Sequence, residues 1–423
     1  MKESGIDWIG KIPEEWEVIK VKFFTYMKGR IGWQGLKADE FIDEGPYLVT
    51  GTDFKNGRVN WDTAYHISQK RYEQAPEIQL KQGDLLVTKD GTVGKLALID
   101  ELPDSASLNS HLLVLRPLFN RYDNHFLYYV LSSLEFKNYF QKVSIGSTMD
   151  SLSQEKMGEF IFALPNINEQ NSISRYLDKK TAQLDKAKAL LEEQIQKLKD
   201  YRSSLIYETV TKGLDKNVPM KDSGIDWIGQ VPKGWEITKH KYIMTKVKEI
   251  CTHYEGQDIL SLTRQGVVVR DIESGKGKMP ASFDGYQFLE KGDLLFCLFD
   301  IDVTPRCVGV VENNGLTSSA YSRFRLDDKI SVYYYYYLFL SMDEDKVLLH
   351  LSKNLRHSLT EDDFGIIETV LPSYEEQLRI ADYLSKVTKS IDEVVQLKQK
   401  QIDNINKQRQ TLIYDYVTGK RRV

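Results

Sequence analysis

The chain of 423 residues is long enough for two or three domains, and its 41% hydrophobic and 28% charged residues are typical of a globular protein. No apolar run reaches membrane-span length and the first residues lack the hydrophobic block of a signal peptide, which predicts a cytoplasmic protein. The formal net charge of −4 excludes DNA binding by bulk charge, so any DNA contact must come from local basic surfaces.

The chain opens with a segment, residues 2–17, whose sequence KESGIDWIGKIPEEWE recurs as KDSGIDWIGQVPKGWE at residues 221–236. The Gly, Pro and Trp positions are typical of a tight loop pinned by tryptophan rather than of a helix. We call these segments strap 1 and strap 2. Their tryptophans could be stacking platforms for bases, but tryptophan beside Gly and Pro turns more often packs, so buried anchors are favoured.

Each strap is followed by a basic run that contains no acidic residue. Residues 18–38 contain Lys20, Lys22, Lys28, Arg30 and Lys37, and residues 237–248 contain Lys239, His240, Lys241, Lys246 and Lys248. Basic residues among aromatic ones suit a surface that faces phosphates, although a solvated amphipathic strand or helix would show the same pattern. Its presence in both halves favours a partner that both halves share.

Short apolar runs bounded by Gly, Asp and Pro then predict strands, among them residues 85–88 and 112–115. Residues 81–95, KQGDLLVTKDGTVGK, indicate a turn, a strand, a Gly-rich hairpin and another strand, with a counterpart at residues 290–311. The GTVGK tip lacks the GxxxxGK[ST] spacing of a phosphate loop, and no helix is predicted after it. A polar hairpin tip at a recognition edge is the favoured interpretation.

Residues 123–140 and 332–349 are apolar almost all round at helical period, which predicts two core helices rather than a stacking surface. Each is followed by a polar loop, VSIGSTMDSLS at residues 143–153 and SKNLRHSLT at residues 352–360. The side chains of these loops can reach base edges or phosphates, although each loop could also be a turn that caps the next helix.

A long helix is predicted for residues 166–213, with Asn166 as the N-cap and Glu169 closing a capping box. Its heptad seam comprises Ile173, Leu177, Leu184, Ala187, Leu191, Leu198, Tyr201 and Leu205, with Lys180 and Gln194 as polar positions. The pattern returns after LPSYEEQ, which begins at Leu371, with Ile380, Leu384, Val387, Ile391, Val394, Ile405 and Leu412 in the seam and Lys398, Gln401 and Gln408 as polar positions. Two unrelated surface helices would not share caps, frame and LIY tails, so one intramolecular coiled coil is predicted.

The order of the copies predicts how the halves connect. Strap 2 follows the first long helix after a short linker, so strap 1 should lie where the second long helix ends. The termini should then be close, the helices antiparallel and the molecule pseudo-twofold. The expected fold class is α+β, with two globular mixed α/β domains separated by two long helices that form an antiparallel coiled coil.

Domain boundaries follow from the same landmarks. The predicted globular domains are residues 1–165 and 221–372, the long helices are residues 166–213 and 373–419, and residues 214–220 form the linker. The shift between copies is 219 residues at the straps and 207 at the helices, so the first globule is 12 residues longer (219 − 207). The globules also differ between the shared landmarks, which predicts that they recognise different targets.

The ordered duplicate set, two copies each of SGIDWIG-x-[IV]-P-x-x-WE, GDLL and LP-x-x-x-EQ followed by heptad helices ending in LIY, resembles the DNA specificity subunit of type I restriction–modification enzymes. The resemblance covers essentially the whole chain. Each motif alone is modestly specific, whereas the ordered set is strongly so.

The resemblance implies that each globule is a target-recognition domain for one half of a split, asymmetric DNA sequence. It implies that the long helices set the spacer and dock two methyltransferase (modification) subunits, which bind S-adenosylmethionine and methylate adenine. Restriction subunits with ATP-driven translocation complete the complex. This chain would bind no cofactor and no membrane, and S-adenosylmethionine, ATP and magnesium would be held by its partners.

The recognition domains of that family diverge, so DNA-binding residues are predicted here from the chemistry of polar loops and basic runs. In the first half they are Lys20, Lys22, Arg30, Thr52, Asp53, Lys89, Thr92, Lys95, Asn109, His111, Ser147 and Thr148. In the second half they are Lys239, Lys241, Arg264, Gln265, Arg306, Tyr321, Asn354, Arg356 and His357.

The sequence contains no Gly-rich cofactor turn, no NPPY-like tetrapeptide, no Walker lysine and no HxxxH or HExxH metal pair, which argues against an enzyme that acts alone. The three cysteines, Cys251, Cys297 and Cys307, form no CxxC pair, so buried free thiols are expected. The alternative function is a coiled-coil scaffold whose globular domains bind proteins or glycans. That alternative explains the helices but not the duplicated basic runs.

Overall fold

The computed structural model describes residues 1–30, 35–144, 151–272, 280–352 and 357–423. The chain forms two compact units. Unit 1 contains Met1–Leu191 and Lys400–Val423, and unit 2 contains Glu192–Gln399. No helix among the described residues is long and apolar enough to cross a membrane.

Unit 1 is built from short strands around small helices. Its strands are β1 (Lys2–Glu3), β2 (Lys11–Ile12), β3 (Glu17–Lys20), β4 (Thr25–Lys28), β5 (Phe41–Val49), β6 (Phe54–Lys55), β7 (Arg58–Val59), β8 (Tyr65–Ile67), β9 (Leu85–Thr88), β10 (Leu96–Leu98), β11 (Ala106–Leu108), β12 (Leu112–Pro117) and β13 (Ile161–Leu164). Its helices are α1 (Val21–Phe24), α2 (Gln69–Glu73), α3 (Asn124–Ser132), α4 (Leu134–Ser144), α5 (Gln154–Glu159) and the first part of α6 (Ile167–Lys212). Short 3-10 helices occupy Ala38–Glu40, Trp61–Thr63 and Pro76–Ile78.

The main sheet of unit 1 has the strand order β4-β12-β9-β10-β7-β6. All of its neighbours are antiparallel except β10 and β7, which are parallel. A second sheet, β11-β5-β8, and the antiparallel pair β13-β3 flank it. The buried face of the predicted core helix α3 packs against this sheet through Phe126, Leu127 and Val130.

Unit 2 repeats the plan of unit 1 with fewer strands. Its strands are β14 (Met220–Asp222), β15 (Gln230–Pro232), β16 (Glu236–Lys239), β17 (Met244–Val247), β18 (Leu260–Thr263), β19 (Gly266–Val269), β20 (Gln287–Leu289), β21 (Leu294–Phe296), β22 (Val308–Val310), β23 (Gly315–Thr317), β24 (Ser322–Leu326) and β25 (Glu368–Leu371). Its helices are α7 (Val332–Glu344), α8 (Val347–Leu351), α9 (Glu361–Gly365) and the first part of α10 (Tyr374–Val417), with a 3-10 helix at His240–Tyr242.

The four-stranded antiparallel sheet β17-β24-β21-β22 of unit 2 corresponds to β4-β12-β9-β10 of unit 1. In both sheets the strand of the GDLL motif lies in the interior and pairs with the following hairpin strand. The pair β16-β25 likewise corresponds to β3-β13. The internal repeat read from the sequence is therefore a repeat of the same sheet core.

The repeated motifs make the same contacts in each unit. The indole Nε1 of Trp16 donates to Glu169 at 3.1 Å, and that of Trp235 donates to Glu376 at 3.0 Å. The side chains of the following glutamines, Gln170 and Gln377, each accept at 2.8 Å from the backbone N–H of the residue that caps the core helix, Asp123 or Ser331. The LP-x-x-x-EQ motif therefore joins the start of each long helix to the strap and to the core helix.

The two long helices pack antiparallel within each unit, as predicted. In unit 1, Arg409 pairs with Asp185 at 3.2 Å and the rings of Tyr176 and Tyr416 lie 4.6 Å apart. In unit 2 the Nζ of Lys398 donates to Gln194 at 2.6 Å and Arg202 pairs with Asp392 at 3.3 Å. As the residue number rises along α6, the number of its partner in α10 falls, so the two helices are antiparallel.

The strict heptad seam was wrong in the middle of both helices. Tyr201 and Val394, predicted to be seam residues, are 56% and 41% exposed, whereas Ile195 and Ile402 are buried. Likewise, the buried residue is Thr181 and not Lys180, which was predicted to occupy a polar seam position. An ideal α-helix turns every 3.6 residues and drifts by about 20° per heptad, so the buried stripe moves forward by one residue.

The closeness of the chain termini is confirmed within unit 1. The hydroxyl of Tyr414 donates to the Trp8 carbonyl at 3.1 Å, and the Nζ of Lys420 donates to the Ile9 carbonyl at 2.7 Å. In unit 2, Tyr207 makes the equivalent bond to Trp227 at 3.0 Å. Strap 1 therefore packs on the end of the second long helix, as strap 2 packs on the end of the first.

The three cysteines are buried and free, as expected.

One buried histidine makes unit 2 sensitive to acid. His240, which corresponds to Val21 in the first copy, is buried, and its Nδ1–H donates to the Phe364 carbonyl at 2.9 Å. Burial lowers its pKa from 6.5 to about 3, and the hydrogen bond only partly opposes this. Because the unfolded chain protonates near pH 6.5 and the folded chain does not, stability is present above that pH and is lost as pH falls towards 3.

The variant His240→Val should therefore lose less stability on acidification than the parent chain. The difference between the two chains in the change of unfolding free energy from pH 7 to pH 5 should be about 2 kcal/mol. Urea unfolding of both chains at the two pH values measures it, and His253→Val, at an exposed position, is the control. Equal acid sensitivity of parent and His240→Val would contradict the prediction.

Candidate nucleic-acid interface

Several predicted site residues of unit 1 meet at one end of its main sheet. Hairpin 1, residues 89–95, connects β9 to β10, and its backbone is fixed from two sides. The Lys89 N–H donates to the His111 carbonyl at 2.8 Å, and the Lys89 carbonyl accepts from Leu152 N–H at 2.8 Å. Inside the hairpin, the Thr88 hydroxyl donates to the Thr92 carbonyl at 2.6 Å. Hairpin 1 is thus a preorganised turn with Thr92 and Lys95 exposed.

The neighbouring loops complete this surface. Asn109 N–H donates to the Val49 carbonyl at 3.0 Å, next to the loop that contains Thr52, and the Asn109 side chain accepts from His111 N–H at 3.0 Å. The His111 imidazole is 63% exposed and lies 3.5 Å from Asp90. We call residues 50–52, 89–95 and 109–111 edge 1. It carries lysine, amide, hydroxyl and imidazole groups, the chemistry that contacts phosphates and base edges.

Arg30 and Asp53 lie beneath edge 1 rather than on it. The Arg30 side chain donates to the Leu108 carbonyl at 2.9 Å and to the Ser107 hydroxyl at 3.0 Å, and burial lowers its pKa to about 10. Asp53 accepts from Thr50 N–H at 2.7 Å and from the Thr63 hydroxyl at 3.0 Å. Both side chains are buried, so they shape the loops and offer no group to a ligand in this conformation.

Two lysines of the basic run after strap 1 share one acidic partner inside their own unit. Lys20 and Lys22 both pair with Glu159, at 2.8 and 2.5 Å. Hydrogen bonds from the two lysines lower the Glu159 pKa to about 2, so the carboxylate stays charged. In unit 2, Lys239 is half-buried on β16 and Lys241 lies 5.1 Å from the ring centre of Tyr242. None of these four lysines belongs to the hydrogen-bond network described for edge 1.

Unit 2 places a longer hairpin at the position of hairpin 1. Hairpin 2, residues 297–307, connects β21 to β22. Leu359 N–H donates to the Leu298 carbonyl at 2.8 Å, the same bond that Leu152 makes to Lys89 in unit 1. Ile301 N–H donates to the His357 carbonyl at 3.1 Å, and the rings of Phe299 and Tyr321 lie 5.9 Å apart. The predicted residues Tyr321 and His357 are thus neighbours of hairpin 2. We call hairpin 2 together with these two residues edge 2.

The remaining described candidates of unit 2 line an open groove of about 1200 Å³. Arg264 and Gln265 enter it from the turn between β18 and β19, and Arg306 enters from the base of hairpin 2. The Arg306 guanidinium donates to the Tyr336 hydroxyl at 3.2 Å. The opposite wall belongs to the parts of α6 and α10 in unit 2 and carries both basic and acidic side chains, including Lys199 and Asp392.

Four predicted residues, Ser147, Thr148, Asn354 and Arg356, lie outside the described residues. Across the part of the chain that is described, no group of three or more His, Cys, Asp or Glu side chains could hold a metal ion. The sequence reasoning did not select the exposed residues Asp302 and Val303 of hairpin 2. The sequence did contain a signal for these residues, the longer segment after the second GDLL motif. Hairpin 2 has 11 residues where hairpin 1 has seven.

Comparisons with known proteins agree with the duplicated motifs. A family model described as the type I restriction modification DNA specificity domain matches residues 13–199. The chain is 24% identical over 434 residues to the putative type I restriction enzyme MjaX specificity subunit of Methanocaldococcus jannaschii, covering 98% of this chain and 96% of that protein. It is 25% identical over 449 residues to the MjaVIII specificity subunit of the same organism, covering 98% and 94%.

Solved structures show the same fold at low sequence identity. A chain from a structure titled "Structural basis underlying complex assembly and conformational transition of the type I R-M system" has a TM-score of 0.71 and 13% identity, covering 97% of this chain and 100% of that one. The HsdS subunit from Thermoanaerobacter tengcongensis has a TM-score of 0.52 and 13% identity, covering 97% and 98%. Since the two Methanocaldococcus relatives match along 98% of the chain, the family model matches residues 13–199 and the motifs recur in order, the protein belongs to the DNA specificity subunits of type I restriction–modification systems, the non-catalytic members of those enzyme complexes.

Proposed function

We propose that this subunit reads a split, asymmetric DNA target, with residues 1–165 and 221–372 as the target-recognition domains for its two halves. The main support is that hairpins 1 and 2 are held by equivalent backbone hydrogen bonds, from Leu152 N–H to Lys89 and from Leu359 N–H to Leu298, yet they present different side chains. One scaffold used twice with unlike surfaces suits two unlike half-sites.

The long helices are proposed to set the spacing between half-sites and to dock two methyltransferase subunits. Exposed apolar side chains outside the helix seam support docking, among them Leu190, Tyr201, Val394 and Leu397. Restriction subunits would join the same cytoplasmic complex. S-adenosylmethionine, ATP and magnesium would be bound by the partner subunits, which supply the chemistry that this chain directs to its target.

The direct test is to produce the chain together with the methyltransferase subunits of its own system and to map methylated adenines in the DNA of those cells. We expect two short unlike blocks of specified bases, separated by a fixed number of unspecified ones. Methylation at a palindrome, or methylation unchanged when the specificity subunit is omitted, would contradict the proposal.

The lysines of hairpin 1 should contribute affinity without sequence preference. If Lys89 and Lys95 contact phosphates, the double variant Lys89→Ala/Lys95→Ala should weaken binding similarly on specific and unrelated duplexes. The slope of log K against log salt should also fall in magnitude by about 2, since each phosphate contact contributes about 0.9. Titration of labelled duplex with the assembled methyltransferase complex at several salt concentrations measures both quantities.

Lys233→Ala is the matched control, because Lys233 is exposed on strap 2, outside both edges. This control should leave affinity and salt slope unchanged. An unchanged salt slope in the double variant would remove Lys89 and Lys95 from the DNA contact.

A further inference from the structure

Hairpin 2 differs from hairpin 1 in charge. Hairpin 1 carries Lys89 and Lys95 with one acid, Asp90, which lies beside His111. Hairpin 2 carries two acids, Asp300 and Asp302, with its basic residue at the foot, where Arg306 is bound to Tyr336. The two hairpins occupy equivalent positions in their units, but hairpin 1 carries lysines at its base and an uncharged tip, whereas hairpin 2 carries a negative tip.

The tip of hairpin 2 is rigidly built. Asp300 has φ +48° and its carbonyl accepts from Val303 N–H at 3.2 Å, from Thr304 N–H at 2.9 Å and from the Thr304 hydroxyl at 2.8 Å. Ile301 is buried and its N–H is bound to His357, which also has a positive φ of +45°. Non-glycine residues persist in the left-handed region only where surrounding contacts hold them there, and the hydrogen bonds above provide these contacts.

The turn exposes the adjacent side chains of Asp302 and Val303, and the carboxylate of Asp300 is exposed as well. Val303 is 74% exposed, and Asp302 is exposed without an ion pair or hydrogen bond to any described residue. Phe299 and Thr304 hold the loop through the Thr304 bonds and the Phe299 contact with Tyr321, whereas Asp300 does so only through its backbone carbonyl. An exposed carboxylate and an exposed valine at the tip serve no packing purpose in unit 2.

A carboxylate on a DNA-facing tip has only one favourable kind of direct contact with base edges in the major groove. Beside phosphates it is repelled, and it cannot bond to the acceptor atoms N7 and O6 of guanine or O4 of thymine. It can accept a hydrogen bond from an exocyclic amino group, and the N4 amino group of cytosine is the partner that carboxylates take in the major groove. Apolar side chains such as that of Val303 contact the thymine methyl group in the same groove.

We infer that Asp302 is a specificity-determining residue of unit 2 that accepts a hydrogen bond from the amino group of a cytosine in one half-site, and that Val303 packs beside it. Hairpin 1, with its lysines, provides mainly phosphate contacts in the other half-site. The inference rests on the proposed function, since it assigns a base class to the edge of a target-recognition domain.

The two effects of removing the carboxylate have opposite signs, which makes the assignment testable. Asp302→Ala should bind unrelated DNA more tightly, because a negative charge near phosphates is lost. The same variant should lose discrimination at one base pair of one half-site, by about tenfold, the size of a good base contact. Asp302→Asn keeps the shape of the side chain and one acceptor oxygen but adds an amide donor, so it should relax the cytosine preference towards bases that present an acceptor at that position.

The experiment uses the complete methyltransferase complex with each variant and measures binding to duplexes in which every position of both half-sites is varied. Asp328→Ala, an exposed acid of unit 2 outside edge 2, is the matched control, and the half-site of unit 1 is an internal control. Thermal unfolding of each variant shows whether it is folded.

A folded Asp302→Ala complex that keeps every base preference would overturn the inference, and so would relaxation at all positions together or at an adenine. Failure of the proposed function is distinguishable, because the parent complex would then show no split target at all. Val303→Ser should weaken preference only at a base pair next to that of Asp302, and a change in the other half-site would also count against the assignment.

Discussion

Replacing Asp293 with alanine should lower the free energy of unfolding by about 3 kcal/mol, because it removes the buried counter-ion of a buried guanidinium and leaves only the half-exposed Glu290 as its ionic partner. The Arg323 side chain is fully buried and its Nε lies 2.5 Å from Asp293, which is itself 2% exposed. Arg325 also pairs with Asp293, at 3.0 Å. Asp293 is the aspartate of the second GDLL motif, so this motif holds the central strands of unit 2 together.

The first GDLL motif provides a graded comparison. Asp84 pairs with Arg116 at 2.7 Å, but the Arg116 side chain is 25% exposed and also donates to the Gln79 carbonyl. Water can reach that guanidinium, so Asp84→Ala should cost less than Asp293→Ala. Thermal and urea unfolding measure both, and the exposed Asp328→Ala should be neutral. Equal losses for the three variants would show that burial of Arg323 does not decide the effect.

Adding one heptad to each long helix should lengthen the unspecified part of the DNA target by about three base pairs. Seven residues add about 10.5 Å of helix at 1.5 Å per residue, and base pairs are spaced by about 3.4 Å. In α6 the insertion lies between Asp185 and Gln194, and in α10 between Lys398 and Arg409. The contacts Asp185–Arg409 and Gln194–Lys398 then stay intact on either side of it.

Mapping methylated adenines with the lengthened subunit measures the result. The two specified blocks should keep their bases, because no residue of edge 1 or edge 2 changes. An insertion of seven residues in α6 alone is the control, and it should disrupt the matched seam and reduce activity on every target. A lengthened subunit that methylates the parent target, or one with altered half-site bases, would refute the spacing role of the helices.

The duplication was the part of the fold that sequence reasoning reached most completely. The tryptophans of the straps were predicted to be packing anchors, and in the structure Trp16 bonds to Glu169 as Trp235 bonds to Glu376. The repeat also predicted the antiparallel helices and the neighbouring termini, since strap 1 was expected to pack at the end of the second long helix as strap 2 does at the end of the first. The base-reading assignment was weaker, because each edge is assembled from loops whose sequences differ.

Individual side chains show where local reasoning stops. Arg30 stands among lysines in a basic run, but the structure turns it inward to the Ser107 hydroxyl and the Leu108 carbonyl. Lys20 and Lys22 meet Glu159 only because β3 and α5 come together in unit 1. A basic pattern records charge along the chain, whereas the free charge of a surface depends on which acids fold against it.

By itself the sequence determined the twofold plan, the long helices, their caps and the absence of known catalytic motifs, because these depend on short-range spacing and on exact recurrence along the chain. Only the tertiary structure decided which residues the seam buries, which cations are neutralised, and that Asp302 and Val303 stand exposed on a rigid turn. Those outcomes depend on contacts between residues distant in sequence, whose distances and burial arise only when the sheets and helices pack.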